Sequence, residues 1–216
     1  MDVREKEYVT ELIARYPILE PLQDQIKDGF FMIRESYSMG GKLMAAGNGG
    51  SASDAEHIVG ELMKSFILKR PISADLRDKL MRLPVDMAKE LVLHLEMPLT
   101  AISLTTHEAL TSAYSNDVDD RYGFAQQLLG FGRKEDVFLA ISTSGNSENI
   151  IYCALLARAM GIKILALTGG TGGMLRSIAD VSIVVPEQET YKIQELHLPI
   201  YHCLCRMLEY SFFGQK

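Results

Sequence analysis

Ser142-Thr143-Ser144-Gly145-Asn146-Ser147 packs hydroxyls and a glycine into one short stretch, which suits it to holding an anion. The run before it, Asp136-Val137-Phe138-Leu139-Ala140, is short, apolar and bounded by turn residues, and reads as a buried parallel strand. After it, Glu148 to Met160 places apolar residues at helical spacing, with Asn146 or Ser147 available as the N-cap. A strand that leaves through such a loop into a helix turns backbone N–H groups and the positive end of the helix toward a phosphate. Taken alone, the stretch reads equally well as an ordinary capped loop.

A second loop tips the balance. Gly47-Asn48-Gly49-Gly50-Ser51-Ala52 follows the strand-like Lys42-Leu43-Met44-Ala45-Ala46 and precedes a helix expected over 51–68. Gly47, Gly49 and Ala52 match a dinucleotide fingerprint, which also needs an acidic residue after the next strand. The next strand-like run, 99–103, is followed instead by Leu104-Thr105-Thr106, so a nicotinamide site is not expected. No Lys-Ser/Thr pair follows the glycines, which removes the nucleotide P-loop. A third glycine-rich stretch, Thr168-Gly169-Gly170-Thr171-Gly172-Gly173, reads as a flexible lead-in to a helix at 173–179.

His57 and Glu61 stand four apart on the helix after the first loop, with Asp54 one turn earlier. The last helical segment opens with Gln194-Glu195-Leu196-His197 and continues to His202. His57, Glu61, Gln194 and one of His197 or His202 form a donor set suited to Zn²⁺ or a similar divalent ion. There is no HExxH or clustered-cysteine motif to reinforce it. Gln194 and His202 are eight residues apart, ~12 Å along a straight helix. Both reach one site only through a bend, for which Pro199 gives a reason, or through a neighbouring subunit. On spacing alone His197 is the easier partner for Gln194.

The elements that must position these groups alternate along the chain. Strand-like runs at 42–47, 99–104, 136–142, 163–168 and 181–185 are separated by helical patterns and bracketed by amphipathic segments at 19–39 and 190–212. This pattern predicts a single α/β domain, a five-stranded parallel sheet between two helical layers. Both loops then lie at strand carboxyl ends and share one pocket. Residues 72–96 read as a packed helical insertion of two short helices joined at Pro84, with a lid over the site as the alternative.

Of the 216 residues, 47% are hydrophobic and 23% charged, which is ordinary for a soluble globular domain. A net charge of −6 argues against a nucleic-acid surface. No apolar run approaches the ~20 residues that span a bilayer, and the charged N-terminus does not read as a secretory signal. Cys153, Cys203 and Cys205 lack a CxxC spacing and look like buried thiols of a cytoplasmic protein. The apolar faces of 19–39 and 190–212 exceed the needs of one small sheet and predict a homo-oligomer packed through them.

Together the two loops, His57 with Glu61, and Gln194-Glu195-Leu196-His197 resemble the sugar isomerase (SIS) domain, and within it the phosphoheptose isomerases. The resemblance covers nearly the whole chain apart from 72–96. It implies a flavodoxin-like SIS fold and conversion of sedoheptulose 7-phosphate to a glycero-manno-heptose 7-phosphate. By the same resemblance Asn48, Gly49, Gly50, Ser51, Ser142, Thr143, Ser144 and Ser147 would hold the sugar phosphate. Asn116 and Asp117 match an Asn-Asp pair that lines the family's substrate site. His57, Glu61, Gln194 and His202 fall on the family's zinc ligands, Glu61 and His202 on its acid/base pair, and Gln194 also borders the substrate. The family is tetrameric, with sites at subunit interfaces. Two departures stand out: Ser65 occupies the place of a common arginine, and the loop after the second strand lacks an aspartate often found there. The alternative function is that of a non-catalytic SIS protein that binds the replication initiator DnaA or another partner.

Overall fold

Five parallel strands form one sheet in the computed structural model, which describes residues 1–214. They are β1 (Leu43–Ala46), β2 (Ala101–Ser103), β3 (Val137–Ile141), β4 (Lys163–Gly169) and β5 (Val181–Val185). Their order across the sheet is β2-β1-β3-β4-β5, so the winding reverses between β1 and β3. Every residue of β1 and β3 is buried, as expected of central strands covered on both faces.

Alternation along the strands splits the core in two. Leu43, Ala45, Leu139, Ile141, Leu165, Leu167, Ile183 and Val185 face one helical layer: α1 (Val3–Arg15), α2 (Gln23–Ser38), α3 (Gly50–Met63) and α10 (Thr190–Phe213). Met44, Ala46, Phe138, Ala140, Ile164 and Ala166 face the other, which contains α7 (Gly123–Phe131), α8 (Glu148–Ala159) and the short α9 (Leu175–Ile178). Helix α6 (Glu108–Asp117) precedes α7, and the insertion forms α4 (Ala74–Met81) and α5 (Met87–His94). The three layers, the five strands and the two helices of the insertion match the sequence expectation, but the insertion is not packed on the domain: Ala88 is the one buried residue of α4 and α5.

Three boundaries differ. The segment 19–39 is not one helix: Pro17 and Pro21 set a 3₁₀ turn over Pro17–Leu22, and α2 begins at Gln23. Ahead of it lies α1, a helix not expected from so charged a terminus. Its signal was a capping box, in which Asp2 accepts from Arg4 N at 3.1 Å and Glu5 accepts from Asp2 N at 2.7 Å. Tyr8, Val9 and Leu12 bury its apolar stripe in the core it shares with α10. Part of the apolar surplus read on 190–212 is therefore covered within the chain.

The third difference lies beside the site. Helix α3 stops at Met63, not at 68, because Glu209 on α10 takes the N–H groups of Phe66, Ile67 and Leu68 at 2.7, 2.8 and 3.0 Å. Arg70 pairs with Glu209 at 2.8 Å, and both side chains are essentially fully buried. Its other guanidinium nitrogens donate to the carbonyls of Leu62, at 2.7 Å, and Glu61, at 3.3 Å. The insertion leaves from this clamp. Its base is closed by a bridge between Pro71 and Glu96 and by a 2.7 Å bond from Met97 N to Arg70 O.

Candidate active site

The glycine loop and the Ser142–Ser147 loop both leave the sheet at the β1/β3 reversal, where ligands of doubly wound sheets bind. They are joined there by a reciprocal amide pair, Asn48 and Asn149 exchanging two hydrogen bonds of 2.9 Å. Gly49 opens α3 at φ +55°, a conformation that favours glycine. In the second loop, the Ser142 and Ser147 hydroxyls lie 2.9 Å apart. Ser147 is the N-cap of α8 but its side chain makes no capping bond, so the hydroxyl remains with the loop. Ser144 Oγ accepts from Asn146 N at 3.2 Å. Thr143 lies between Ser142 and Ser144 at the end of β3.

The third glycine stretch is a rigid support rather than a flexible lead-in. A side chain at Gly145 (φ +67°) would collide with the backbone of Gly172, and one at Gly173 with the backbone of Ser144 and Gly145. Asn146 Oδ1 accepts from Met174 N at 3.0 Å, and Leu175 N donates to Gly145 O at 3.0 Å. Hydrogen bonds to a charged ligand contribute ~1.5–3 kcal/mol each. A Ser144→Ala/Ser147→Ala variant should therefore bind a sugar phosphate at least ~10-fold more weakly, with its circular dichroism unchanged. A titration that matches the parent would remove these hydroxyls from the binding loop.

The acid/base candidates meet farther along α3, where it packs on α10. His57 Nε2 lies 3.2 Å from Glu61 Oε1, and His57 Nδ1 lies 3.0 Å from the Tyr201 hydroxyl. The His202 ring stands edge-on to His57, centroids 5.0 Å apart, and also contacts Phe66. Burial, and then the neighbouring His57, lower the His202 pKa, so it is a neutral imidazole near pH 7. Its Nε2 is buried without a hydrogen-bond partner. Lys64 Nζ reaches Glu61 Oε2 at 3.2 Å.

Other residues singled out in the sequence stand apart from this cluster. Gln194 packs its carboxamide against Gly50, where a side chain on the glycine would come within 2.6 Å of Gln194 Nε2. Helix α10 is continuous through Pro199, so Gln194 and His202 keep their eight-residue spacing. His197, the easier partner on spacing, is buried; its Nε2 bonds to Thr168 O at 3.3 Å, and burial pushes its pKa down to about 4. Ser51 is buried in the first turn of α3. Asn116 and Asp117 are exposed at the end of α6 and bond to each other at 2.8 Å. Ser65 binds Glu96 through Oγ and N at 2.5 and 2.8 Å, and so closes the base of the insertion.

A tetrahedral metal with arms of ~2.0–2.2 Å sets its ligands ~3.3–3.6 Å apart, slightly more than the 3.2 Å His57–Glu61 separation. With the unpartnered His202 Nε2, the donor chemistry fits a zinc ion. Among the described residues, no group of three or more His, Cys, Asp or Glu is arranged to hold a metal as it stands.

Comparison with known proteins agrees with this architecture. The sequence model of the SIS domain matches residues 86–169, a stretch that includes the Ser142–Ser147 loop but not the glycine loop or His57 and Glu61. A phosphoheptose isomerase of Helicobacter pylori (strain P12) is 34% identical over 211 residues, 98% of this chain and 96% of that protein. One from Aneurinibacillus thermoaerophilus is 37% identical over 182 residues, covering 84% of this chain and 79% of that protein. The solved phosphoheptose isomerase GmhA of Neisseria gonorrhoeae superposes with a TM-score of 0.73 at 28% identity, over 95% of this chain and 97% of that one. That of Francisella tularensis gives 0.72 at 29% identity, over 97% and 99%. This chain is an isomerase that belongs to the phosphoheptose isomerase family of SIS-domain proteins.

Proposed function

We propose that this protein interconverts a ketose and an aldose phosphate, with sedoheptulose 7-phosphate as the ketose and a glycero-manno-heptose 7-phosphate as the aldose. The observation that carries this reading is the pair of loops clamped at the sheet reversal by Asn48 and Asn149. One of these loops opens the helix that bears His57 and Glu61. The loops would take the phosphate through backbone N–H groups and serine hydroxyls without introducing charge.

Isomerisation needs a base at carbon and a second group to manage the oxygen protons. Glu61 takes a proton from C1 of the ketose while the C2 carbonyl oxygen gains one, giving a cis-enediol. Loss of the O1 proton and return of a proton to C2 then give the aldose. His202, neutral near pH 7, can give and take the oxygen protons. His57, Glu61 and His202 would hold a zinc ion, with Gln194 as fourth donor, and the ion would polarise the carbonyl as a Lewis acid.

Gln194 is the donor that this chain leaves apart, and Glu61 itself lies eleven residues beyond Gly50, ~16 Å along α3. Both separations favour a homotetramer in which a second copy completes each site. Large exposed side chains, Met87 at 75% and Leu93 at 73% among them, offer it apolar surface. Light scattering at micromolar concentration should give four chains; a monomer would overturn the assembly. Cys153, Cys203 and Cys205 are free and buried, which suits a reducing, cytoplasmic setting.

The function is tested by solvent deuterium exchange on a panel of C5 to C7 ketose phosphates, followed by NMR with and without chelator. Exchange at the carbon next to the carbonyl, fastest with the C7 sugar, is the expected result. No exchange with any phosphosugar would replace the reading with a non-catalytic SIS protein.

A further inference from the structure

A chain of hydrogen bonds runs behind the proposed acid/base cluster and is not used by the mechanism above. The Tyr201 hydroxyl lies 3.2 Å from Asp54 Oδ1 and 3.0 Å from His57 Nδ1. The second carboxylate oxygen of Asp54 is buried without a partner. Asp54 and His57 lie on α3, one turn apart, and Tyr201 comes from α10.

With Asp54 ionised and His57 a neutral imidazole, the proton count sets the direction of this chain. An ionised carboxylate only accepts, and a tyrosine hydroxyl has one proton to give. Tyr201 gives it to Asp54, and its oxygen must then accept from His57. The His57 proton therefore sits on Nδ1. The Nε2 lone pair faces Glu61 Oε1 across 3.2 Å, two acceptors with no proton of their own between them. Such a gap is a place for a cation, either a proton in transit or a metal ion.

We propose that Tyr201 and Asp54 are positioning residues that fix the tautomer of His57 and so aim its Nε2 lone pair at the space beside Glu61. Neither touches the reacting atoms; they act through the imidazole. The inference rests on the reading of His57 and Glu61 as active-site groups. The same relay gives the buried Tyr201 hydroxyl, on a side chain 2% exposed, both of its partners.

Asp54→Asn tests it with almost no change of shape. An asparagine amide can donate to the Tyr201 oxygen, which turns the Tyr201 proton toward His57 Nδ1 and moves the imidazole proton to Nε2. Nitrogen-15 NMR of histidine-labelled protein reads this directly. The protein as purified should show His57 protonated at Nδ1, and Asp54→Asn should show it at Nε2. Turnover and zinc retention against a chelator should each fall ~10–100-fold, with KM for the sugar phosphate unchanged. Tyr201→Phe should show the same losses without the forced switch of tautomer.

Parent protein with its His57 proton on Nε2 overturns the proposal without any variant being needed. So does an Asp54→Asn protein with parental tautomer and kcat. If the parent exchanges no phosphosugar proton yet holds His57 as the Nδ1 tautomer, the functional reading fails and the positioning role stands.

Discussion

Glu61→Gln should lower turnover ~10²–10⁴-fold while the sugar phosphate still binds, the size of effect expected when a general base is removed. Glutamine keeps the length and one oxygen of the side chain but cannot take a proton from carbon. The glycine loop lies at the start of α3, eleven residues before position 61, and the Ser142–Ser147 loop at the start of α8, so the substitution leaves both untouched. Solvent deuterium incorporation into sedoheptulose 7-phosphate separates the two effects. The parent should incorporate label and the variant should not, with similar dissociation constants. Equal incorporation would remove Glu61 from the mechanism.

The other large effect is structural. Glu209→Gln should destabilise the fold by ~3–5 kcal/mol, because it leaves the buried Arg70 guanidinium without its counter-charge. That is a large share of a typical stability of ~5–15 kcal/mol. The loss should appear as a lower urea midpoint with an unchanged slope. Arg70→Met combined with Glu209→Gln should cost less than the two single losses added, since no unpaired charge then remains buried. A Glu209→Gln midpoint within experimental error of the parent would show that the pair holds nothing together. Because Arg70 bonds the carbonyls of Glu61 and Leu62, the same variant should loosen the end of α3.

What could be read from the sequence follows how local each signal is. The strands were legible because β1 and β3 are short apolar runs that match complete burial on both faces. The two loops were legible because glycine and hydroxyl residues carry their conformation and chemistry with them. His57 and Glu61 were legible as a pair because a helix brings i and i+4 together. The end of α3 was not, because the group that stops it, Glu209, lies more than a hundred residues downstream. The Asn48–Asn149 clamp and the Tyr201 link to His57 were hidden for the same reason. His202 came from family resemblance, not spacing, which favoured His197, a residue the fold commits to β4. Asn116 and Asp117 also came from resemblance, and among the described residues their side chains bond only to one another.

The closed base of the two-helix insertion has a consequence for how this domain varies in length. Arg70 and Met97 are already hydrogen-bonded to each other, and Pro71 bridges Glu96, so the chain leaves and rejoins the domain at one point. Closing a loop costs little more as it lengthens, roughly 0.6 kcal/mol per doubling, once its ends are held. Within α4 and α5, Ala88 is the one buried residue, so the core makes few demands on what lies between those ends. The junction is thus a graft point, where a tight turn and a helical hairpin are interchangeable as far as the sheet is concerned. New surface can be acquired there beside Glu61 while the register of every strand is left alone.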